Sequence, residues 1–161
     1  MPLRFVFAAT LAALSATASA QTAPPSITEV WARATPAGAT SAAAYMTVTS
    51  PVADRLVAVA APAAKQADLH RMTMENGIME MRQVAAIDLP AGKPVTLTPG
   101  GYHIMLTGLK APLRQGGTVR LTLTFAKSGT RQVTAQVEPI GSMGPQGGEG
   151  GMGGMTMPTH H

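Results

Sequence analysis

Between Ile27 and Pro139 the chain is a series of short apolar runs punctuated by Pro and Gly. The clearest run is Thr118 to Phe125. There Val119, Leu121, Leu123 and Phe125 alternate with Arg120, Thr122 and Thr124, the period of two that marks a half-buried strand. The same reading gives candidate strands at Thr28–Arg33, Ala43–Thr49, Arg55–Ala60, Asp68–Met74, Ile78–Val84, Val95–Thr98, Tyr102–Thr107 and Gln132–Glu138. Helical periodicity is absent. At most a helical turn fits the Ala-rich stretch 37–44 or Pro62–Ala67. About nine strands with turn signals every 8–15 residues predict an all-β fold, an antiparallel β-sandwich formed by a single domain.

Both ends of the chain depart from this pattern. Met1 to Arg4 carry one positive charge, Phe5 to Ala16 are almost wholly apolar, and Ala18-Ser19-Ala20 is a small-residue cleavage pattern. Residues 1–20 are expected to be a secretory signal peptide, because the apolar run falls short of the roughly 20 residues needed to span a bilayer. After cleavage no membrane insertion is expected, and the working domain is residues 21–140. Residues 141–161, GSMGPQGGEGGMGGMTMPTHH, hold eight Gly and four Met and end in two His. Such a segment has too little apolar surface to offset its ordering entropy and is expected to be disordered.

Composition removes several function classes. Without Arg4, eleven basic residues face eight acidic ones, and they are scattered among few aromatics, so nucleic acid is not an expected partner. There is no Cys, which excludes thiol nucleophiles, redox dithiols, disulfides and thiolate metal centres. No Ser/His/Asp set, carboxylate pair or phosphate loop points to an enzyme.

The chemistry concentrates in DLHRMTMENGIMEMRQV, residues 68–84. Asn76-Gly77 signals a two-residue type I′ turn, since both central positions need positive φ. That turn would pair Glu75 with Ile78, Met74 with Met79, Met72 with Met81 and His70 with Gln83. Alternation then places His70, Met72, Met74, Met79 and Met81 on one face and Arg71, Thr73, Glu80 and Arg82 on the other. Methionine also fills gaps in cores, so Met74 and Met79 fit a core role as well as a ligand role, and His70 alone would read as a core imidazole. A second strand, GGYHIMLTGL, shifts that balance. Tyr102, Ile104 and Leu106 form its apolar set, leaving His103 and Met105 on the other face about 7 Å apart. Asp68 is on the same face as His70 and could hydrogen-bond the imidazole.

Two strands each offering imidazole and thioether suit a soft cation. Thioethers favour Cu(I), whereas Zn and Cu(II) prefer imidazole, thiolate or oxygen. Thioethers also cannot be lost to disulfide formation in an oxidising compartment, although they can become sulfoxides.

At these residues the chain resembles the periplasmic copper chaperones with a PCu(A)C domain. Their pattern of His, ten residues, Met, twenty-one residues, His, one residue, Met is met by His70, Met81, His103 and Met105 without a gap. VWARAT at 30–35, AYMTV at 44–48, MENGIMEMR at 74–82 and PGGYHIML at 99–106 look like segments of the same family. The resemblance implies a cupredoxin-like β-sandwich in the periplasm that binds Cu(I) near its surface. It also implies delivery toward the copper centres of cytochrome c oxidase, with a Sco-type protein or an oxidase subunit as acceptor. Arg71 stands where many members have an acidic residue. Alternation points it away from the site.

Met72, Met74 and Met79 are auxiliary candidates for the same ion. Met152, Met155, Met157, His160 and His161 in the tail are further candidates, the two His for Cu(II). The expected molecule is a monomeric carrier; copper storage using the core site and the tail is the alternative.

Overall fold

The computed structural model describes residues 23–145. These form ten strands and no helix: β1 (Ser26–Arg33), β2 (Ser41–Thr49), β3 (Asp54–Ala60), β4 (Ala64–Glu75), β5 (Ile78–Gln83), β6 (Ile87–Leu89), β7 (Pro94–Leu97), β8 (Tyr102–Leu109), β9 (Thr118–Phe125) and β10 (Gly129–Glu138). Among the described residues no helix is long and apolar enough to cross a membrane.

The hydrogen-bonded path runs β5-β4-β8-β2-β1-β10-β9-β3-β6, with β7 also pairing β2. The apolar faces close over one core that includes Ala44, Met46, Val48, Leu56, Ile104, Leu106, Leu121 and Leu123, all fully buried. In β9 the alternation read from sequence is realised: Val119, Leu121, Leu123 and Phe125 are buried between less buried polar neighbours. The all-β sandwich fold expected from the sequence is therefore the one observed.

Three features differ from the expectation. The pairings are antiparallel except for β1 with β10, which run parallel, with Trp31 opposite Gln136. A parallel pair needs a long crossover, and here the crossover is nearly the whole domain. The stretches 37–44 and 62–67 hold no helical turn. Ser41 and Ala64 instead open β2 and β4, because cross-strand bonds to Thr107 and Leu109 outweigh the helical propensity of Ala. β6, only three residues long, has no counterpart among the predicted strands.

Within the segment read as tail, Ser142 is buried: its carbonyl accepts a 2.8 Å hydrogen bond from Arg33 Nε, and the Arg33 guanidinium is 3.2 Å from Met143 Sδ, while Gly141, Met143 and Pro145 are exposed.

Two irregularities shape the outer face of the sheet. In β1 an extra residue between Thr28 and Trp31, with Glu29 at φ 51°, shifts the register so that Trp31 sits opposite Tyr45. Along one side of β2, β7 pairs the second half and β8 the first. Pro99-Gly100-Gly101 bridges the gap between them, with Gly100 at φ 91°, a conformation that favours Gly.

Candidate metal centre

The β4–β5 hairpin forms as its turn demands. Asn76 and Gly77 take φ of 51° and 78°, and the register pairs His70 with Gln83, Met72 with Met81, Met74 with Met79 and Glu75 with Ile78. On its other side β4 pairs β8, with His70 opposite His103 and Asp68 opposite Met105. Directly paired residues share a face, so His70, Met72, Met81, His103 and Met105 occupy one face of three adjacent strands, with their core-facing neighbours Leu69, Ile104 and Leu106 on the other. Arg71 faces away, its guanidinium 5.2 Å from the centre of the Tyr102 ring.

Three of the four spacing-matched residues meet closely. His103 Nε2 is 3.2 Å from Met81 Sδ, and the His70 and His103 rings are 5.8 Å apart between centroids. Met105 is the next residue on that face of β8 and is half-buried, flanked by Asp68 and Ala43. Toward the turn the face opens: Met81 is 47% exposed, Met79 50% and Met74 65%. The core role open to Met74 and Met79 from sequence is thus not the one they have.

The protonation of His103 follows from its surroundings. Its Nδ1 lies 3.2 Å from the Gly101 carbonyl, an atom that can only accept, so in the neutral ring the proton is on Nδ1. That leaves a bare lone pair on Nε2, pointed at a thioether that offers a lone pair of its own. Two such donors 3.2 Å apart cannot satisfy each other without a proton or cation between them. Burial lowers the His103 pKa from its ordinary value, the nearby His70 lowers it further, and the Gly101 bond opposes both, so the ring is neutral at neutral pH. His70 Nδ1 is buried with no hydrogen-bond partner in the protein. The bond that Asp68 could accept from the imidazole is not made. Asp68 accepts instead from the Gln66 and Gln83 side-chain amides at 2.8 and 3.1 Å.

The same carbonyl of Gly101 also accepts the Met72 backbone N–H at 3.0 Å, tying the turn before β8 to the hairpin. Behind His103 stands an aromatic wall not anticipated from sequence: Tyr45 lies 6.4 Å from His103 and 4.4 Å from Trp31, both 4% exposed. Arg33 lies 5.8 Å from the centre of the Tyr45 ring and holds segment 141–145 in place. The only sequence signal for this wall was the apolar pair of segments VWARAT and AYMTV; the β1 bulge that brings them together is not legible in composition.

Among the described residues no group of three or more His, Asp or Glu side chains converges. The donors that do converge are imidazole and thioether, a set that fits a soft monovalent cation rather than a hard dication. The signal segment and the tail residues Met152, Met155, Met157, His160 and His161 lie outside the described residues.

The model of the LpqE-like lipoprotein family matches residues 26–137. The chain belongs to the LpqE-like family. This LpqE-like chain is 34% identical over 113 residues to a protein of Leifsonia xyli subsp. xyli that is named as a lipoprotein, covering 70% of this chain and 68% of that one. It is also similar to the PCuAC domain of PmoF2 in its copper-bound form, with a TM-score of 0.61, 29% identity, and coverage of 73% of this chain and 95% of that domain. Against DR1885 of Deinococcus radiodurans, solved with CuI, the TM-score is 0.56 and the identity 35%, over 77% of this chain and 85% of that one. The PCu(A)C likeness read from the His–Met spacing is thereby shown for this LpqE-like chain.

Proposed function

We propose that the chain is an exported Cu(I) carrier whose cargo is held by His70, Met81, His103 and Met105. The observation that carries this reading is the approach of a bare imidazole nitrogen, His103 Nε2, to Met81 Sδ at 3.2 Å, beside a second imidazole with an unpartnered nitrogen. The copper-bound forms of the similar PCuAC domain and of DR1885 support it.

Residues 1–20 serve as the export signal and the mature chain works in the periplasm; similarity to proteins named as lipoproteins is consistent with export. Neutral ligands hold Cu(I) without adding charge, and the half-exposed Met81 lets an incoming ligand replace it while the fold stays closed. Thiolates are softer and charged, so passage to a Cys-bearing acceptor runs downhill. Such an acceptor is a Sco-type protein or a cytochrome c oxidase subunit at assembly of its copper centres. No step needs a catalytic group, and the chain acts as a binding protein.

The test is a competitive Cu(I) titration under reducing conditions. The parent chain should take one tightly bound ion, and a Met81→Ala/His103→Ala variant should lose it. A double variant that binds as well as the parent would refute the site.

A further inference from the structure

Strand β5 ends the hydrogen-bonded path; among the described residues it pairs with β4 alone. The two-residue turn fixes which of its backbone groups face outward. In such a hairpin Glu75 and Ile78 form a hydrogen-bonded pair, and so in alternation do Thr73 with Glu80 and Arg71 with Arg82. The N–H and C=O groups of Met79, Met81 and Gln83 therefore point to the open edge. Met72, opposite Met81, sends its N–H the other way, to Gly101, as this alternation requires.

An open edge is a template for a further strand, and edges are normally guarded by very short length, Pro, bulges or charged side chains. This one has no Pro and no bulge, and the charges it carries are one of each sign, Glu80 and Arg82. Of the six large hydrophobic side chains exposed among the described residues, four are Met74, Ile78, Met79 and Met81, all on this hairpin. Its polar face carries both signs: Arg82 bonds Glu80 at 2.7 Å and Glu75 at 2.8 Å, the Arg82 and Glu75 side chains being more than half exposed and that of Glu80 somewhat less.

We infer that this edge pairs with the same edge of a second copy of the chain, β5 against β5, antiparallel about a two-fold axis at Met81. Charge selects the register. Outward-facing residues must pair with each other, which allows axes at Met79, Glu80, Met81 or Arg82. An axis at Glu80 sets two carboxylates face to face, and one at Arg82 sets two guanidinium groups face to face. An axis at Met79 puts Glu80 against Ile78. Only the axis at Met81 is self-complementary: Glu80 faces Arg82 of the partner subunit, and the reverse pair repeats it, as an isologous contact requires. On the other face the two Met81 side chains meet, so each copy covers the exposed thioether of the other's candidate site. The departure from the monomer expected from sequence lies in this edge, whose free backbone groups composition does not reveal. A single strand pair is a small contact, so the dimer is a weak, concentration-dependent one.

The inference rests on strand geometry and charge and is independent of copper binding. It is tested by sedimentation velocity of the purified apo chain across a concentration series up to the millimolar range. The parent should show monomer and dimer in exchange. Glu80→Arg and Arg82→Glu should each be monomeric alone, because like charges then meet at the seam, with circular dichroism confirming that each is folded. Mixing the two variants should restore the dimer, since opposite charges face each other again, and so should Glu80→Arg/Arg82→Glu in one chain. A parent that stays monomeric throughout, or a dimer unmoved by either charge reversal, would overturn the inference.

Discussion

His103 Nε2 and Met81 Sδ approach to 3.2 Å across three strands although 22 positions separate them in the chain. Each is aimed by backbone geometry: Met81 by the Asn-Gly turn that sets the hairpin register, His103 by the Gly101 carbonyl that accepts its Nδ1–H. The arrangement makes several outcomes predictable.

The tautomer of His103 should depend on the turn before it. Gly100 at φ 91° would be strained by about 1 kcal/mol or more with a side chain. Gly100→Ala should therefore move the Gly101 carbonyl and weaken Cu(I) binding by roughly 10- to 100-fold, as loss of an outer hydrogen bond to a ligating His does, while the chain stays folded. Imidazole nitrogen shifts by NMR should report the Nδ1–H form in the parent and a mixture in the variant. An unchanged affinity would remove Gly101 from the site's support.

The pH response has a definite sign. The folded His103 pKa is lowered, mainly by burial and also by His70. The unfolded chain therefore binds more protons between that lowered pKa and the ordinary value near 6.5. Apo stability contributed by the neutral ring is present above about 6.5 and is lost as pH falls through the folded pKa. NMR titration should place the His103 midpoint below the ordinary value, and denaturant midpoints should fall with pH over the same window.

Trp31 is the chain's single tryptophan, and Tyr45 stands between it and His103. Binding of a metal at His103 should change Trp31 emission in proportion to occupancy. The change should persist in Met143→Ala and disappear in His103→Ala. A titration with full occupancy and constant emission would show the wall to be uncoupled from the site.

The two ends of residues 141–161 should behave differently on truncation. A chain ending at Ile140 loses the Ser142 carbonyl that anchors Arg33 and the cover beside Trp31, so its melting temperature should drop. A chain ending at Pro145 keeps both, should melt like the parent, and as a carrier should retain its one tight Cu(I). Loss of most copper capacity in that second chain would favour storage over carriage.

Asp54 offers a control remote from the donors. Its buried carboxylate accepts from the Arg55, Lys127 and Ser128 backbone N–H groups and from Ser128 Oγ at 2.6–3.0 Å. Burial would raise its pKa, but these bonds outweigh that and hold it below the ordinary range. Asp54→Ala should cost about 3 kcal/mol in chemical denaturation by stranding buried donors and leave Cu(I) affinity unchanged.

Local rules made much of this legible in advance. Asn76-Gly77 dictated the hairpin register residue by residue, and period-two alternation put His103 and Met105 together on the face of their strand opposite Ile104 and Leu106; the pairing of β4 with β8 that joins this face to Met81 was not legible. What sequence did not reveal depends on contacts between distant segments. Ile87–Leu89 is too short to show a period. The first residues of β4, Ala64 to Ala67, show no clear alternation, and it is their pairing with β8 that holds them extended. Trp31 reaches the site's face through a bulge at Glu29 that no composition signal marks, and Ser142 is fixed by an arginine 109 positions earlier.

One carbonyl oxygen, that of Gly101, receives both the amide of Met72 and the ring proton of His103. Hairpin seating and imidazole aim are thereby a single mechanical variable. Any movement that lifts the hairpin off this oxygen also slackens the ring it orients.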